Sequence, residues 1–133
     1  MSLKAWRDFF GSSARVYGID NDPKTIFSEG NIRCFIGDQS KEESLEAAIG
    51  KMGELWFDLI VEDGMGDKLT PLKTLIKYVR PGGLYITEDV HDWQMGKIKD
   101  AARPLADLLY EHMGNFFWDN FLAFTPKGSI ATE

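Results

Sequence analysis

The chain has 133 residues, 44% of them hydrophobic, enough for one compact core and too short for two ordinary domains. Fifteen basic against 21 acidic residues leave a formal charge of -6, which argues against nucleic acid as partner, because a phosphate backbone selects a basic face. No apolar run approaches bilayer-spanning length, early charges exclude a secretory signal, and a lone Cys34 cannot make an internal disulfide, so a cytoplasmic protein with no membrane partner is expected.

Short β-rich runs alternate with amphipathic stretches, the pattern of a parallel sheet covered by helices. Leu3 to Phe10 is predicted as a helix with Leu3, Trp6 and Phe10 on one face. Arg15 to Asp20 follows as a buried strand ending in an acid. Asp22 is placed as an N-cap ahead of Pro23 at the first helical position. Ile32 to Ile36 is a second strand, closed by Gly37-Asp38-Gln39-Ser40. Ser40 is expected to cap the next helix with Glu43 as its capping-box partner. That helix turns Leu45, Ala48, Ile49 and Met52 to the core, and Gly50 and Gly53 weaken or end it. Phe57 to Gly64 is a third strand finishing in acids. A helix from about Leu69 to Val79 stops at Arg80-Pro81-Gly82-Gly83. Leu84 to Asp89 is a fourth strand. Met95 to His112 reads as a longer helix that Pro104 kinks or divides. The aromatic segment from Asn115 to Lys127 supplies one or two closing strands. No linker or repeat interrupts the chain, so residues 1–133 read as a single domain.

The strands end in acids: Asp20 with Asp22, Asp38, Glu62 with Asp63, and Glu88 with Asp89. In an open parallel sheet the carboxyl ends share one edge, and ligands bind there. Several carboxylates together are costly to desolvate without a hydrogen-bonding or positive partner, such as a ribose diol, an amino group, a sulfonium or a divalent metal. The alternative is that these acids are caps and solvated turns. Asp20 has the most specific expected task, accepting hydrogen bonds from ribose hydroxyls. By that rule alone, nicotinamide and methyl-donor cofactors look alike. Trp6 and Trp56 read as packing residues, Cys34 as core, and Trp93 as a wall of an acceptor pocket. The run from Phe116 to Phe124 reads as a closing hairpin or an oligomer interface, and a homo-oligomer is the expectation.

Ser2 to Phe10, Val16-Tyr17-Gly18-Ile19-Asp20, Gly37-Asp38-Gln39-Ser40, Asp58 to Gly64 and Pro81 to Asp89, in this order, resemble the macrocin/mycinamicin-type class I S-adenosylmethionine-dependent O-methyltransferases. The resemblance implies an α/β fold, a Rossmann-like, mostly parallel sheet flanked by helices, with the first strand and its glycine-rich loop missing from this chain. It implies that Asp20 holds the methyl donor's ribose, with Asp38 and Gln39 beside its adenine. Asp63, Glu88 and Asp89 match the family's magnesium-binding acids, and hard oxygen ligands suit that ion. The implied reaction is methyl transfer from S-adenosylmethionine to a hydroxyl of a small molecule such as a sugar, assisted by magnesium.

Two departures qualify this. Where the family carries Ser-His after the Asp-Gly of the Asp63 strand, this chain has Met65-Gly66, so the family's base is absent. His91 is the candidate substitute, with Asp63 as the other catalytic acid; the alternative for His91 is a solvated loop residue, and His112 is assigned to a helix surface. The missing strand and glycine loop imply a fragment of a longer product or cover from a partner chain, with little activity from this chain alone. A non-catalytic binding module that keeps the fold, and a nicotinamide-dependent oxidoreductase, are the competing readings.

Overall fold

The computed structural model describes residues 3–129. Met1 and Ser2, and with them the first residue of the family-like motif, lie outside the described residues. The chain divides into two compact units, Met1–Gly53 and Glu54–Glu133.

In the first unit, helix α1 (Leu3–Phe10) precedes strand β1 (Val16–Asp20), the short β2 (Ser28–Glu29) and β3 (Ile32–Ile36), with helix α2 (Glu42–Met52) last. The strand order is β1-β3-β2. β1 and β3 are parallel, in register from Val16 opposite Ile32 to Asp20 opposite Ile36. A parallel pair needs a crossover connection. Here that connection holds a single 3₁₀ turn, Pro23–Thr25, capped by Asp22 and with proline at its start, as its sequence predicts. β1 is half-buried rather than buried. It is an edge strand of this unit's sheet, so one side lacks a neighbour within the unit. Gly18 sets the approach of α1 to β1, because an added Cβ would lie 2.6 Å from Leu3 Cδ1. Trp6 is half-buried and stacks on Phe10, with ring centroids 5.8 Å apart.

α2 buries Leu45, Ala48, Ile49 and Met52 and ends at Gly53 in the left-handed region, as its spacing predicts. Its capping differs from expectation. Lys41 is the N-cap and makes no side-chain cap bond. The Ser40 hydroxyl donates instead to Asp38 Oδ1 at 2.6 Å. A carboxylate makes the stronger, charge-assisted bond and so captures the hydroxyl.

The second unit has strand order β4-β5-β7-β6, from β4 (Phe57–Glu62), β5 (Val79–Val90), β6 (Ala106–Met113) and β7 (Asn120–Pro126), with helices α3 (Leu69–Leu75) and α4 (Asp92–Ala102). β4 and β5 are parallel, joined through α3 and a 3₁₀ turn, Ile76–Tyr78. The other two ladders, β5 with β7 and β6 with β7, are antiparallel. The α/β, Rossmann-like expectation is met, with the strands hydrogen-bonded as two sheets rather than one. The core of this unit gathers Leu72, Ile76, Tyr85, Val90, Ile98, Leu122 and Phe124.

Two element boundaries differ from the sequence reading. Arg80-Pro81-Gly82-Gly83 lies inside β5: Phe57 pairs with Val79 and Leu59 with Leu84, so these residues form a bulge in one long strand. The expected helix from Met95 to His112 is α4 followed by β6. Pro104 divides it, since proline has no N–H for the helix ladder and clashes with the preceding turn. Beyond it, Ala106 to Met113 find backbone partners along β7, from Pro126 back to Asn120, and that pairing overrides the helical pattern. His112 is accordingly a strand residue, its ring stacked on Phe121 at 5.0 Å. Among the described residues no helix is long and apolar enough to cross a membrane.

Candidate functional site

In the first unit, Asp20 and Asp38 lie at the carboxyl ends of neighbouring parallel strands. The Gly37 amide donates to the Asp20 carbonyl at 3.0 Å and ties the two ends together. Asp20 is exposed, and its Oδ1 accepts the Asp22 amide at 2.9 Å, which fixes the carboxylate. Asp38 Oδ1 accepts the Ser40 hydroxyl and the Ser40 amide, and these bonds hold its carboxyl below the usual carboxylate value. The Asp38 amide donates to the Ser44 hydroxyl at 2.8 Å, anchoring the loop to α2. Gln39 is half-buried beside it. Gly37 is buried, and a Cβ there would lie 2.6 Å from Ile19 Cγ2, so the chain passes close over β1. Asp20, Asp38 and Gln39 are therefore brought to one end of one sheet.

In the second unit, Asp63 follows β4, while Glu88 and Asp89 end β5; the parallel pairing puts all three at one sheet end. Asp63 and Asp89 are exposed and Glu88 is half-buried. Burial, then the charges of Asp63 and Asp89, push the Glu88 carboxyl above its usual value. Repulsion from the neighbouring carboxylates is the lesser part of that shift, and a divalent cation would relieve it. Oxygen donors of this kind fit magnesium, although among the described residues no group of three or more His, Cys, Asp or Glu is arranged to hold a metal. Asp89 has φ of 52°, the left-handed region that aspartate tolerates better than most residues.

His91 and Asp89 line one open pocket of about 370 Å³, with Met65 and Trp118. The His91 amide donates to Gln94 Oε1 at 3.0 Å at the start of α4, and its ring lies 5.4 Å from that of Phe117. One aromatic expectation changes and another gains a neighbour. Trp93 lines a cleft of about 320 Å³ with Lys68, Leu69 and Lys97, its ring 6.3 Å from that of His91, and Trp118 lines the pocket that His91 and Asp89 share. Trp56 is 59% exposed and is not a packing residue, because it sits in the turn before β4.

Three residues escaped the sequence reading. Glu62 is buried, not part of an exposed acidic pair. Its carboxylate accepts the Thr87 hydroxyl at 2.8 Å, the Gly64 amide at 2.8 Å and the Lys68 ammonium at 3.2 Å. Lys68, which the sequence reading did not single out, is 3% exposed. Asn120 is 2% exposed and donates to the Val90 carbonyl and Asp92 Oδ1, both at 2.8 Å, while accepting the Gly114 amide. The one available signal was a polar residue interrupting an apolar pattern, and that does not tell burial from exposure.

Parallel crossovers with acids at their carboxyl ends place this chain in the class I methyltransferase fold. The MycE methyltransferase of mycinamycin biosynthesis, solved with Mg and SAH, superposes with a TM-score of 0.70 and 26% identity over 93% of this chain and 38% of that one. Human methyltransferase-like protein 13, solved with SAH, gives a TM-score of 0.69 at 16% identity, over 98% of this chain and 70% of that one, a likeness of fold alone. By sequence the chain is a homologue of O-methyltransferases of the mycinamicin and macrocin type. It is 36% identical over 92 residues to mycinamicin VI 2''-O-methyltransferase of Micromonospora griseorubida, and 34% identical over 92 to demethylmacrocin O-methyltransferase of Streptomyces fradiae. Each match covers 67% of this chain, which spans 22% of the length of those relatives. No family model matches the chain.

Proposed function

We propose that this chain is part of an S-adenosylmethionine-dependent O-methyltransferase acting on a hydroxyl of a small molecule, a sugar-bearing one by analogy with its relatives. The supporting observation is the pair Asp20 and Asp38 on adjacent parallel strands, linked through the Gly37 amide at 3.0 Å. Asp20 would accept the ribose hydroxyls with the oxygen not taken by Asp22. Asp38, fixed by Ser40, would accept from the exocyclic amine of adenine, with Gln39 alongside. S-adenosylmethionine supplies an electrophilic methyl on sulfonium. His91 is the residue that would take the proton of the acceptor hydroxyl on an imidazole nitrogen.

Asp63, Glu88 and Asp89 are the residues that would hold magnesium, and magnesium bound there supplies a Lewis acid that makes an acceptor hydroxyl easier to deprotonate. Met65-Gly66 stands where the family pattern has Ser-His, with Gly66 at the histidine position, which favours one other reading, a chain that keeps the fold and binds ligand without transfer. We also assign the protein to the cytoplasm, treat its two units as one methyltransferase-like domain, and infer self-association through the exposed rings of Phe116, Phe117 and Trp118, which are 60%, 63% and 43% exposed.

The test is calorimetric titration of the chain and its Asp20→Ala variant with S-adenosylhomocysteine, with and without magnesium. Binding by the parent that the variant loses is expected, at a cost of roughly tenfold or more for a charge-assisted hydrogen bond. Equal binding by both would sink the assignment of Asp20. Binding without methyl transfer to any hydroxyl acceptor would favour the second reading.

A further inference from the structure

The pocket of about 370 Å³ lined by Met65, Asp89, His91 and Trp118 falls within the usual size of small-molecule sites, about 300–1,000 Å³. Two of its walls are apolar side chains in contact with water, Met65 at 82% and Trp118 at 43% exposure. A single exposed apolar residue needs no explanation. Two that share one concavity with a carboxylate and an imidazole have the make-up of a ligand site, apolar walls with a few polar groups.

Trp118 is also held in place. The turn 114–119 between β6 and β7 is fastened to the start of α4. The Asp92 amide donates to the Phe117 carbonyl at 2.7 Å, and the buried Asn120 side chain donates to the same carbonyl at 3.3 Å and to Asp92 Oδ1 at 2.8 Å. Within the turn the Asp119 amide donates to the Phe116 carbonyl at 3.0 Å. Phe116 stacks on Trp118 with centroids 5.6 Å apart and planes within 7° of parallel. An indole ordered before the ligand arrives loses less conformational entropy on binding, so more of its contact is realised as affinity. Met65 complements it, because an unbranched thioether side chain adapts to the shape it meets. Met65 also belongs to the Met65-Gly66 pair by which this chain departs from the family pattern.

We propose that Trp118 and Met65 are the specificity-determining walls of the acceptor pocket. They take the apolar face of a hydroxylated ring of the pyranose kind, while Asp89 and His91 meet hydroxyls at its rim. A pyranose suits such walls because its ring C–H bonds form an apolar face and its hydroxyls project from the edge. The inference rests on the reading of this chain as part of an O-methyltransferase with His91 at the acceptor, and it names the residues that select that acceptor. It requires no bound metal. A second copy of the chain is the other occupant that an exposed indole admits, and the test separates the two.

The experiment titrates the isotope-labelled 133-residue chain with the methyl glycosides of glucose, galactose and rhamnose and, separately, with glycerol, and reads the indole N–H signals of its four tryptophans by NMR. The signal missing from the Trp118→Ala spectrum identifies Trp118. At least one glycoside is expected to move that signal to saturation, while glycerol, which carries hydroxyls without an apolar ring face, leaves it in place at the same concentrations. Trp118→Ala and Met65→Ala are each expected to weaken that glycoside by roughly threefold to tenfold, read from the backbone amide signals of Asp89 and His91. No response of Trp118 to any of the glycosides overturns the inference, and so does an equal response to glycerol. A Trp118 signal that follows protein concentration over a roughly tenfold range and ignores the glycosides assigns the wall to a second copy instead. Calorimetric titration of the parent with S-adenosylhomocysteine tells the two failures apart. A parent that binds it but shows no glycoside response loses only the pocket walls. A parent that does not bind it loses the O-methyltransferase reading, and the acceptor role of the pocket with it. If Trp118→Ala does not fold, Trp118→Leu is read by the same criteria.

Discussion

Asp67 shows how much one carboxylate does at the start of a short helix. It accepts the Leu69 amide at 2.9 Å, the Thr70 amide at 3.0 Å and the Thr70 hydroxyl at 2.6 Å. Partial burial raises its carboxyl, but the Thr70 and Leu69 bonds outweigh that and leave it below the usual value. A group with a depressed folded pKa stabilises above its unfolded value, near 4, and loses that contribution as pH falls through the folded value. Asp67→Ala is therefore expected to cost about 1 kcal/mol at neutral pH, as an N-terminal cap does. Thermal melts of both proteins should show the gap narrowing below about pH 4. A gap that stays constant into acid would remove the electrostatic account.

Asn120 makes a contrasting case, because it is itself buried and its partners include the backbone at Val90 and Gly114 beside the Asp92 carboxylate. Asn120→Leu would strand the Val90 carbonyl and the Gly114 amide, and a buried unsatisfied group costs about 1–3 kcal/mol. Urea titration should show a lower midpoint with an unchanged slope. A midpoint equal to the parent's would mean that water replaces the amide at no cost.

Among the elements, β5 is the most informative. Its Arg80-Pro81-Gly82-Gly83 segment carries every mark of a helix stop, and the helix does stop, but the chain stays in the sheet. An added Cβ at Gly83 would lie 2.8 Å from both the Asp58 carbonyl oxygen and Val79 Cγ1. Only a residue without a Cβ lets the bulge lie this close to β4. Gly83→Ala is expected to destabilise by about 1–3 kcal/mol through backbone displacement. Thermal denaturation checks this, and a variant as stable as the parent would show that the bulge can shift without cost. β6 teaches the opposite lesson. Its residues favour helix by pattern, yet β7 supplies backbone partners from Ala106 to Met113, broken by one irregularity at Leu109, that a helix after Pro104 would forgo.

For the molecule as a whole, the apolar surface of the β6–β7 loop bears on association. Phe116 and Trp118 stack 5.6 Å apart and both are exposed. Sedimentation equilibrium of the chain should report self-association, and Phe116→Ser/Trp118→Ser should shift it toward monomer. A monomeric parent would overturn the inferred interface and leave the fold and both acid groups untouched.

Sequence alone determined the alternation of strands and helices, the extents of α1 and β3, the buried face of α2, and the acids that end the strands. These are local properties: side-chain periodicity, proline and glycine chemistry, and the order of motifs all act within a few residues. It also carried the likeness to the O-methyltransferases, because that lies in residue identities. Tertiary structure alone decided that Ser40 serves Asp38 rather than α2, that Trp118 shares a pocket with His91, and that residues 106–113 are a strand. It alone separated Glu62, buried with Lys68, from its exposed neighbour Asp63. Each of those outcomes depends on which groups from distant sequence meet, and a polar residue's burial depends on whether a partner awaits it there.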